Sequence, residues 1–344
     1  MKKITLEEHF ATEEQVNYLR SILEKEYPVP EVIDEETALG MEVRWVPSSG
    51  YSSSLRGGNT ILDRLLEVGE RRLRELDEDG IDMQVLSLVS PGVQMLDAPT
   101  ATAAMKRYND RLAGIVREHP ERFAGLATLA PQDPGEAADE LERAVLELGL
   151  KGASINSHIK GEYLDDKKYW VIFERAERLD VPIYIHPRSP SPDMVKPFLT
   201  YPALAVAMWG FGAETSLHAM RLICSGVFDQ YPGLKIILGH LGEGLTFWLW
   251  RLDNRWQLGP TGSELAKKPS DYFRDNFTIT TSGMFSHLAL QYCCLAVGVE
   301  RILFAVDYPF ESNQAGVQFI EAAPINDSDK EKICHLNAER LLKL

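Results

Sequence analysis

The sequence predicts an α/β protein of the (β/α)8 TIM-type barrel class, a single domain with one excursion after its first strand. Three observations carry that prediction. Short apolar runs alternate with helical periodicities along the 344 residues, as the βαβ units of a parallel sheet require. Eight such runs can be marked out, and right-handed crossovers wind them one way around until they close. Each run ends in a polar or turn-forming position: Glu7 with His9, Ser90, Pro131, Asn156, His186, His240, Ser282 and Asp307. The carboxyl ends of all barrel strands meet at one mouth, where such side chains would converge. The competing architecture, a doubly wound open sheet, would show G-x-G-x-x-G opening a helix after a strand. No such segment is present.

Taken in order, Ile4–Phe10 reads as the first strand and Thr12–Glu26 as a helix. Residues 27–60 break the pattern with Pro28, Pro30, Pro47 and a serine-rich stretch, and read as a lid or a surface insertion. A helix over Ile61–Asp79 ends at Gly80, and Ile81–Val89 follows as a strand. Thr100–Glu118 is helical, Phe123–Ala130 a strand, and Pro134–Leu148 an amphipathic helix between Asp133 and Gly149. Gly152–Ser157, Tyr169–Leu179 and Val181–Ile185 continue as strand, helix and strand. Glu214–Asp229 and Leu245–Arg255 are helices on either side of the strand Leu234–Gly239. Phe277–Thr281, Ser286–Val297, Arg301–Val306 and a helix within Asp327–Lys343 complete the series.

Composition narrows the function. A formal charge of −15 speaks against nucleic acid, whose phosphates need clustered Lys and Arg. An anionic small molecule would need a metal or an arginine inside the pocket. The four cysteines, Cys224, Cys293, Cys294 and Cys334, lack C-x-x-C spacing, so neither a zinc knuckle nor a disulfide framework fits. The N-terminus reaches Glu7 without the apolar core of a signal peptide, and no run of about 18 apolar residues could span a bilayer. A soluble, cytoplasmic protein is expected.

Side chains at i and i+2 of a strand share a face, so Glu7 and His9 point inward while Glu8 points to the helices. His186 closes an apolar run just before Pro187, and His240 stands with Glu243 in a glycine-rich turn. Asp307 follows the apolar run Phe304–Val306, where an unpartnered buried carboxylate would be costly. Alone, each motif reads first as structural: a solvated acidic cluster, a hydrogen-bonded core histidine, a paired acid. Together, at strands one, five, six and eight, they read as one reaction centre, in which Glu7, His9, His186 and Asp307 have side chains that bind a divalent metal.

The chain resembles the amidohydrolase superfamily, and within it the aromatic-acid decarboxylases related to aminocarboxymuconate-semialdehyde decarboxylase. Leu6-Glu7-Glu8-His9-Phe10, Ser90-Pro91-Gly92-Val93-Gln94, Pro131-Gln132-Asp133-Pro134, Tyr184-Ile185-His186-Pro187, Gly239-His240-Leu241-Gly242-Glu243, Thr280-Thr281-Ser282-Gly283, Asp307-Tyr308-Pro309-Phe310 and the ending Asn337-Ala338-Glu339-Arg340-Leu341 carry the resemblance. The γ-resorcylate, 2,3-dihydroxybenzoate and 5-carboxyvanillate decarboxylases look most similar. Hydrolases of the superfamily open with His-x-His; here the opening is Glu7-x-His9. Strand four ends in Asn156 rather than a bridging Lys or Glu, which implies one metal rather than two. The resemblance places Glu7, His9, His186 and Asp307 on that metal, Mn²⁺ or Zn²⁺. It implies Asp307 as proton donor, with His240 and Glu243 assisting. It puts Arg251 on the substrate carboxylate, and Asn156, Trp209, Phe211 and Phe310 beside the ring. A bland reading of Arg251 is a helix-end residue in a tryptophan-rich interface.

The implied reaction is non-oxidative decarboxylation of a hydroxylated aromatic acid by a homodimer or homotetramer: the ring carbon is protonated, then CO₂ leaves. Two rivals stand beside it. One is a metal-dependent hydrolase of a lactone, ester or amide, the other a non-catalytic barrel that binds an aromatic ligand.

Overall fold

The first strand, β1 (Ile4–Phe10), is buried along its whole length, although it contains Glu7, Glu8 and His9. Strands of a parallel sheet are covered on both faces, so polar side chains inside one must find partners. The rest of the chain is arranged to supply them. In the computed structural model, residues 1–23, 60–198 and 200–344 are described. The segment 27–60, read above as a lid or surface insertion, lies outside them except for Thr60.

The remaining strands are β2 (Met83–Leu88), β3 (Phe123–Gly125), β4 (Ala127–Thr128), β5 (Ala153–Asn156), β6 (Pro182–His186), β7 (Lys235–Leu238), β8 (Phe277–Thr280) and β9 (Ile302–Leu303). They form two ladders, β1-β2-β3 and β4 through β9, parallel throughout. One extended segment joins the ladders. Leu126, between β3 and β4, gives its N–H to Leu86 O, and Ala127 gives its own to Gly152 O, each at 2.9 Å. At the other seam Leu6 bridges Ala305 in parallel, with Leu6 N 3.1 Å from Phe304 O. Counting β3 and β4 as one stave, eight staves close into a barrel.

The α-helices of five or more residues are, among the described residues, α1 (Glu13–Leu23), α2 (Thr60–Leu66), α3 (Glu70–Asp79), α4 (Ala98–Glu118), α5 (Pro134–Leu146), α6 (Trp170–Leu179), α7 (Gly210–Ser225), α8 (Leu245–Trp256), α9 (Pro269–Asn276), α10 (His287–Val297), α11 (Asn313–Glu321), α12 (Asp327–Glu331) and α13 (Asn337–Leu342). Asp97 and Asp133 cap α4 and α5 by accepting from the third backbone amide of each helix, with Pro in the first turn. Inside the barrel Ile4, Leu6, Val85, Leu126, Ile237 and Leu303 pack together, and Ala338 and Leu342 of α13 close the floor. A larger apolar layer lies between strands and helices. Burying each such side chain contributes roughly 1.5–3 kcal/mol.

Several expectations are corrected. The single helix over Ile61–Asp79 is two, α2 and α3, because the Glu67 carboxylate accepts from the amides of Arg71 and Arg72 and restarts the helix after Gly69. The helix expected over Glu214–Asp229 starts earlier, at Gly210, and stops where Gly226 turns left-handed at φ 79°. The last strand runs in a ladder with β8 only over Ile302–Leu303, since Phe304 N bonds instead to Ile333 O at 2.9 Å, and beyond it a single bridge at Ala305 meets β1. That carbonyl lies in a π-helical turn, Lys332–Leu336, between α12 and α13. Helices α9 and α11 were not expected, although Pro269 and the Ser312 cap are ordinary start signals.

Candidate metal centre

The backbone is strained where the polar strand ends converge. Glu7, His240 and Asp307 have φ of 63°, 49° and 82°, a left-handed region that few non-glycine residues occupy. Each such residue costs on the order of 1–3 kcal/mol, and such residues gather at functional sites. At Glu7 the cause is a register shift in β1 between Thr5 and Glu8. After β7 the chain makes a whole left-handed turn: Leu241, Gly242, Glu243 and Gly244 follow His240 at φ 54°, 81°, 54° and 79°. The turn folds Glu243 back onto His240, Oε1 to Nδ1 at 2.8 Å.

The two oxygens of Glu7 have different environments. Oε2 accepts hydrogen bonds from the hydroxyls of Tyr184 and Ser282 and from Thr280 Oγ1 at 3.2 Å. Oε1 is buried without a hydrogen bond; it faces His186 Nε2 at 3.4 Å and His240 Nε2 at 3.8 Å. One oxygen is thus anchored and the other presented. Burial raises the Glu7 carboxyl above its usual range, and the neighbouring Asp307 adds to this against the opposing pull of His240 and the hydroxyls. Gly239 leaves the space: a Cβ there would lie 3.0 Å from both Glu7 oxygens and 2.9 Å from Tyr184 Oη. Its φ of −71° suits any residue, so Gly239→Ala is a steric change alone. It is expected to weaken metal binding roughly 10- to 100-fold, the usual cost of disturbing a ligand's support, with little change in melting temperature. Chelator competition on purified protein measures this.

Each histidine has one nitrogen engaged and the other aimed inward. His186 Nδ1 meets Asn156 Oδ1 at 2.9 Å, which places the proton on Nδ1 and leaves the Nε2 lone pair free. Burial, with the nearby His9, holds His186 well below the ordinary imidazole range and so neutral. His9 Nδ1 lies 3.3 Å from Ser87 Oγ, and its Nε2 is 3.2 Å from Asp307 Oδ1. His240 Nε2 lies 3.8 Å from Asp307 Oδ2. Burial lowers the His240 value, but Glu243, Glu7 and Asp307 together raise it well above normal. Burial likewise pushes Asp307 up, yet hydrogen bonds from His240 and His9 outweigh it and hold the carboxyl at about 2.

One ligand atom each from Glu7, His9 and His186 lies within 4.8 Å of the others, with Asp307 beside His9. The orphaned Glu7 oxygen, two imidazole nitrogens and a second carboxylate fit a divalent ion that accepts mixed N and O donors, Mn²⁺ or Zn²⁺. At the end of β5, Asn156 offers no carboxylate to bridge a second ion.

The structure does not gather every residue considered above. Glu7, His9, His186, His240, Glu243 and Asp307 form one cluster. Phe310 stands edge-on to His9, centroids 5.8 Å apart. Asn156 is buried against His186, its Oδ1 engaged by His186 Nδ1. Trp209 is 62% exposed, Phe211 is half-buried and Arg251 is exposed. Tyr184, Thr280, Ser87 and Gly239 were missed. Tyr184 and Thr280 stand two residues before His186 and Ser282 on their strands, so the period of two was a signal for both.

A family model described as amidohydrolase matches residues 62–344. The γ-resorcylate decarboxylase of Polaromonas sp. is 40% identical over 351 residues, covering 99% of this chain and 98% of the relative. That of Rhodococcus jostii is 37% identical over 354 residues, with the same coverage. The crystal structure of 5-carboxyvanillate decarboxylase from Sphingomonas paucimobilis superposes with a TM-score of 0.88 at 41% identity, over 100% of this chain and 99% of that one. A dihydroxybenzoic acid decarboxylase from Polaromonas sp., with bound manganese and the inhibitor 2-nitroresorcinol, gives 0.85 at 39% identity over 100% and 97%.

Proposed function

The chain belongs to the amidohydrolase family, and on that premise we propose that it is a metal-dependent, non-oxidative decarboxylase of a hydroxylated aromatic carboxylic acid. The observation that carries the reading is the convergence of Glu7, His9, His186 and Asp307 at one mouth beside the His240–Glu243 pair. Relatives with decarboxylase names, similar over nearly their whole length, support it.

Glu7, His9, His186 and Asp307 would hold one Mn²⁺ or Zn²⁺, which when bound supplies a Lewis acid and a template for a carboxylate and its neighbouring phenolic oxygen. The protein's own groups handle the proton. Asp307, ionised at rest, takes at Oδ2 a proton that comes from solvent by way of His240 Nε2 and delivers it to the ring carbon that bears the carboxylate. His240 Nε2 faces that same oxygen and shares the proton, and Glu243 fixes the ring through Nδ1. The C–C bond then breaks, its electron pair restores the aromatic ring, and CO₂ departs. Phe310 and His9 form an edge-to-face wall suited to a flat substrate.

Turnover in D₂O tests the reaction class. A panel of hydroxybenzoates and vanillate derivatives with Mn²⁺ or Zn²⁺ should yield CO₂ and a product with one deuterium at the carbon that lost it. Hydrolysis of lactones without CO₂ release from any aryl acid would overturn the proposal in favour of a hydrolase.

A homodimer or homotetramer accompanies this reading. Phe247, Trp248 and Trp250 on α8 are 72%, 50% and 75% exposed, an apolar surface of the kind that association covers. Arg251 lies within it, and the reading keeps it as the group that pairs with the substrate carboxylate. Residues 27–60 are proposed as an insertion in the single domain. No described helix is long and apolar enough to cross a membrane; free Cys224, Cys293, Cys294 and Cys334 support a reducing compartment, the cytoplasm.

A further inference from the structure

Glu8 is wholly buried on β1, on the opposite side of the strand from its neighbours Glu7 and His9. Its carboxylate straddles Asp307. Oε1 accepts the Val306 N–H at 3.0 Å and Oε2 accepts the Tyr308 N–H at 3.1 Å. In a regular ladder carbonyls of β1 would take those amides. Here β1 shifts register, and the main-chain bond at this level runs the other way, from His9 N to Tyr308 O at 2.8 Å. A side chain therefore completes the seam where Asp307 holds φ 82°.

The clamp is itself held. Gln84 Nε2 donates to Glu8 Oε2 at 3.2 Å, and Arg72 Nε donates to Gln84 Oε1 at 2.7 Å. Arg72, fully buried on α3, also reaches His9 O at 2.7 Å and lies 4.5 Å from the centre of the Tyr308 ring. The Tyr308 hydroxyl donates to Glu75 Oε2 at 2.6 Å.

We propose that Glu8 is a positioning residue for Asp307, clamping the amides on either side of it so that the carboxylate is held in the mouth at its strained backbone angle. The proposal rests on the decarboxylase reading for its kinetic consequence, but not for its structural one. A structural role alone would make Glu8 merely the buried counter-charge of Arg72. The two roles separate on substitution. Glu8→Gln keeps the shape and one acceptor, and places a donor against the Tyr308 amide. Glu8→Gln combined with Gln84→Glu returns a carboxylate to the Arg72 side without returning the second acceptor to Tyr308.

The manganese-loaded enzymes are compared by hydrogen–deuterium exchange of a peptide spanning 304–310, metal content, melting temperature, and kcat and KM on one turned-over hydroxybenzoate. Glu8→Gln should speed exchange in that peptide by about tenfold or more and lower kcat roughly 10- to 100-fold, the scale of a small misplacement of a reacting group. KM should move less than about threefold. The double variant should regain melting temperature while kcat and local exchange stay impaired. Recovery of kcat together with stability in the double variant would overturn the proposal, as would parental kcat and exchange in Glu8→Gln. If the single variant does not fold, the double variant against the parent decides by the same readings. If the parent decarboxylates none of the acids, the functional reading fails, and exchange at 304–310 with metal content still decides whether Glu8 clamps Asp307.

Discussion

Asp307→Asn should leave a folded protein whose turnover is reduced roughly 10²- to 10⁴-fold, the range for removing a positioned general acid–base group. The substitution keeps the shape and removes the ability to carry a proton. Asp307 Oδ2 faces His240 Nε2 and Oδ1 faces His9 Nε2, so the amide also loses two charge-assisted contacts. His186→Ala is the companion. It removes the neutral nitrogen aimed at Glu7 Oε1 and should abolish metal retention outright. Metal content by elemental analysis, beside single-turnover rates, separates the two defects: Asp307→Asn is expected to lose rate first, His186→Ala metal first. Full activity with normal metal content in either variant would remove these residues from the centre.

Arg251→Met carries the next largest effect. Loss of a charge-assisted, two-pronged contact to a desolvated carboxylate removes roughly 2–5 kcal/mol, on the order of 30- to several-thousand-fold in kcat/KM. Arg251→Lys should recover only part, because a point charge does not reproduce the planar fork. In the single chain Arg251 is exposed among Phe247, Trp248 and Trp250, and no ion pair or hydrogen bond engages it among the described residues. The substrate role proposed for it therefore depends on what covers that face. Size measured by chromatography alongside turnover decides the matter. A variant that falls apart yet decarboxylates at the parental rate per site would make Arg251 an interface residue.

The barrel was legible because its signal is periodic: alternating runs, each ending in a residue of a different kind from the run itself. The cluster was legible because Glu7, His186 and Asp307 are polar residues closing apolar segments, and buried charge needs an explanation. What escaped lacks such contrast. Tyr184 and Thr280 are ordinary strand formers, and only three-dimensional closure brings their hydroxyls onto Glu7 Oε2. The resemblance puts Asn156 beside the ring; its side chain meets His186, a choice of rotamer that spacing does not encode. Glu8 was expected to face the helices, and it does, but nothing in a one-dimensional pattern says that its carboxylate would stand in for a strand. The division between α2 and α3 turned on the Glu67 side chain accepting two backbone amides, a local bond that apolar periodicity passes over.

The left-handed turn after β7 bears on how heat-tolerant this molecule can become. His240, Leu241 and Glu243 are L-residues in a conformation that chirality disfavours by about 1–2 kcal/mol each, so the turn opposes folding by roughly 3–6 kcal/mol in a protein whose net stability is on the order of 5–15 kcal/mol. Glycine would relieve the strain, but at two of the three positions it would delete the imidazole or the carboxylate, and at the third an apolar side chain that is buried. Thermostability and catalysis are thus opposed within four consecutive residues. A breeder of hardier variants would have to leave that turn alone and work at the far end of the barrel, where Ala338 and Leu342 seal the floor and no chemistry competes.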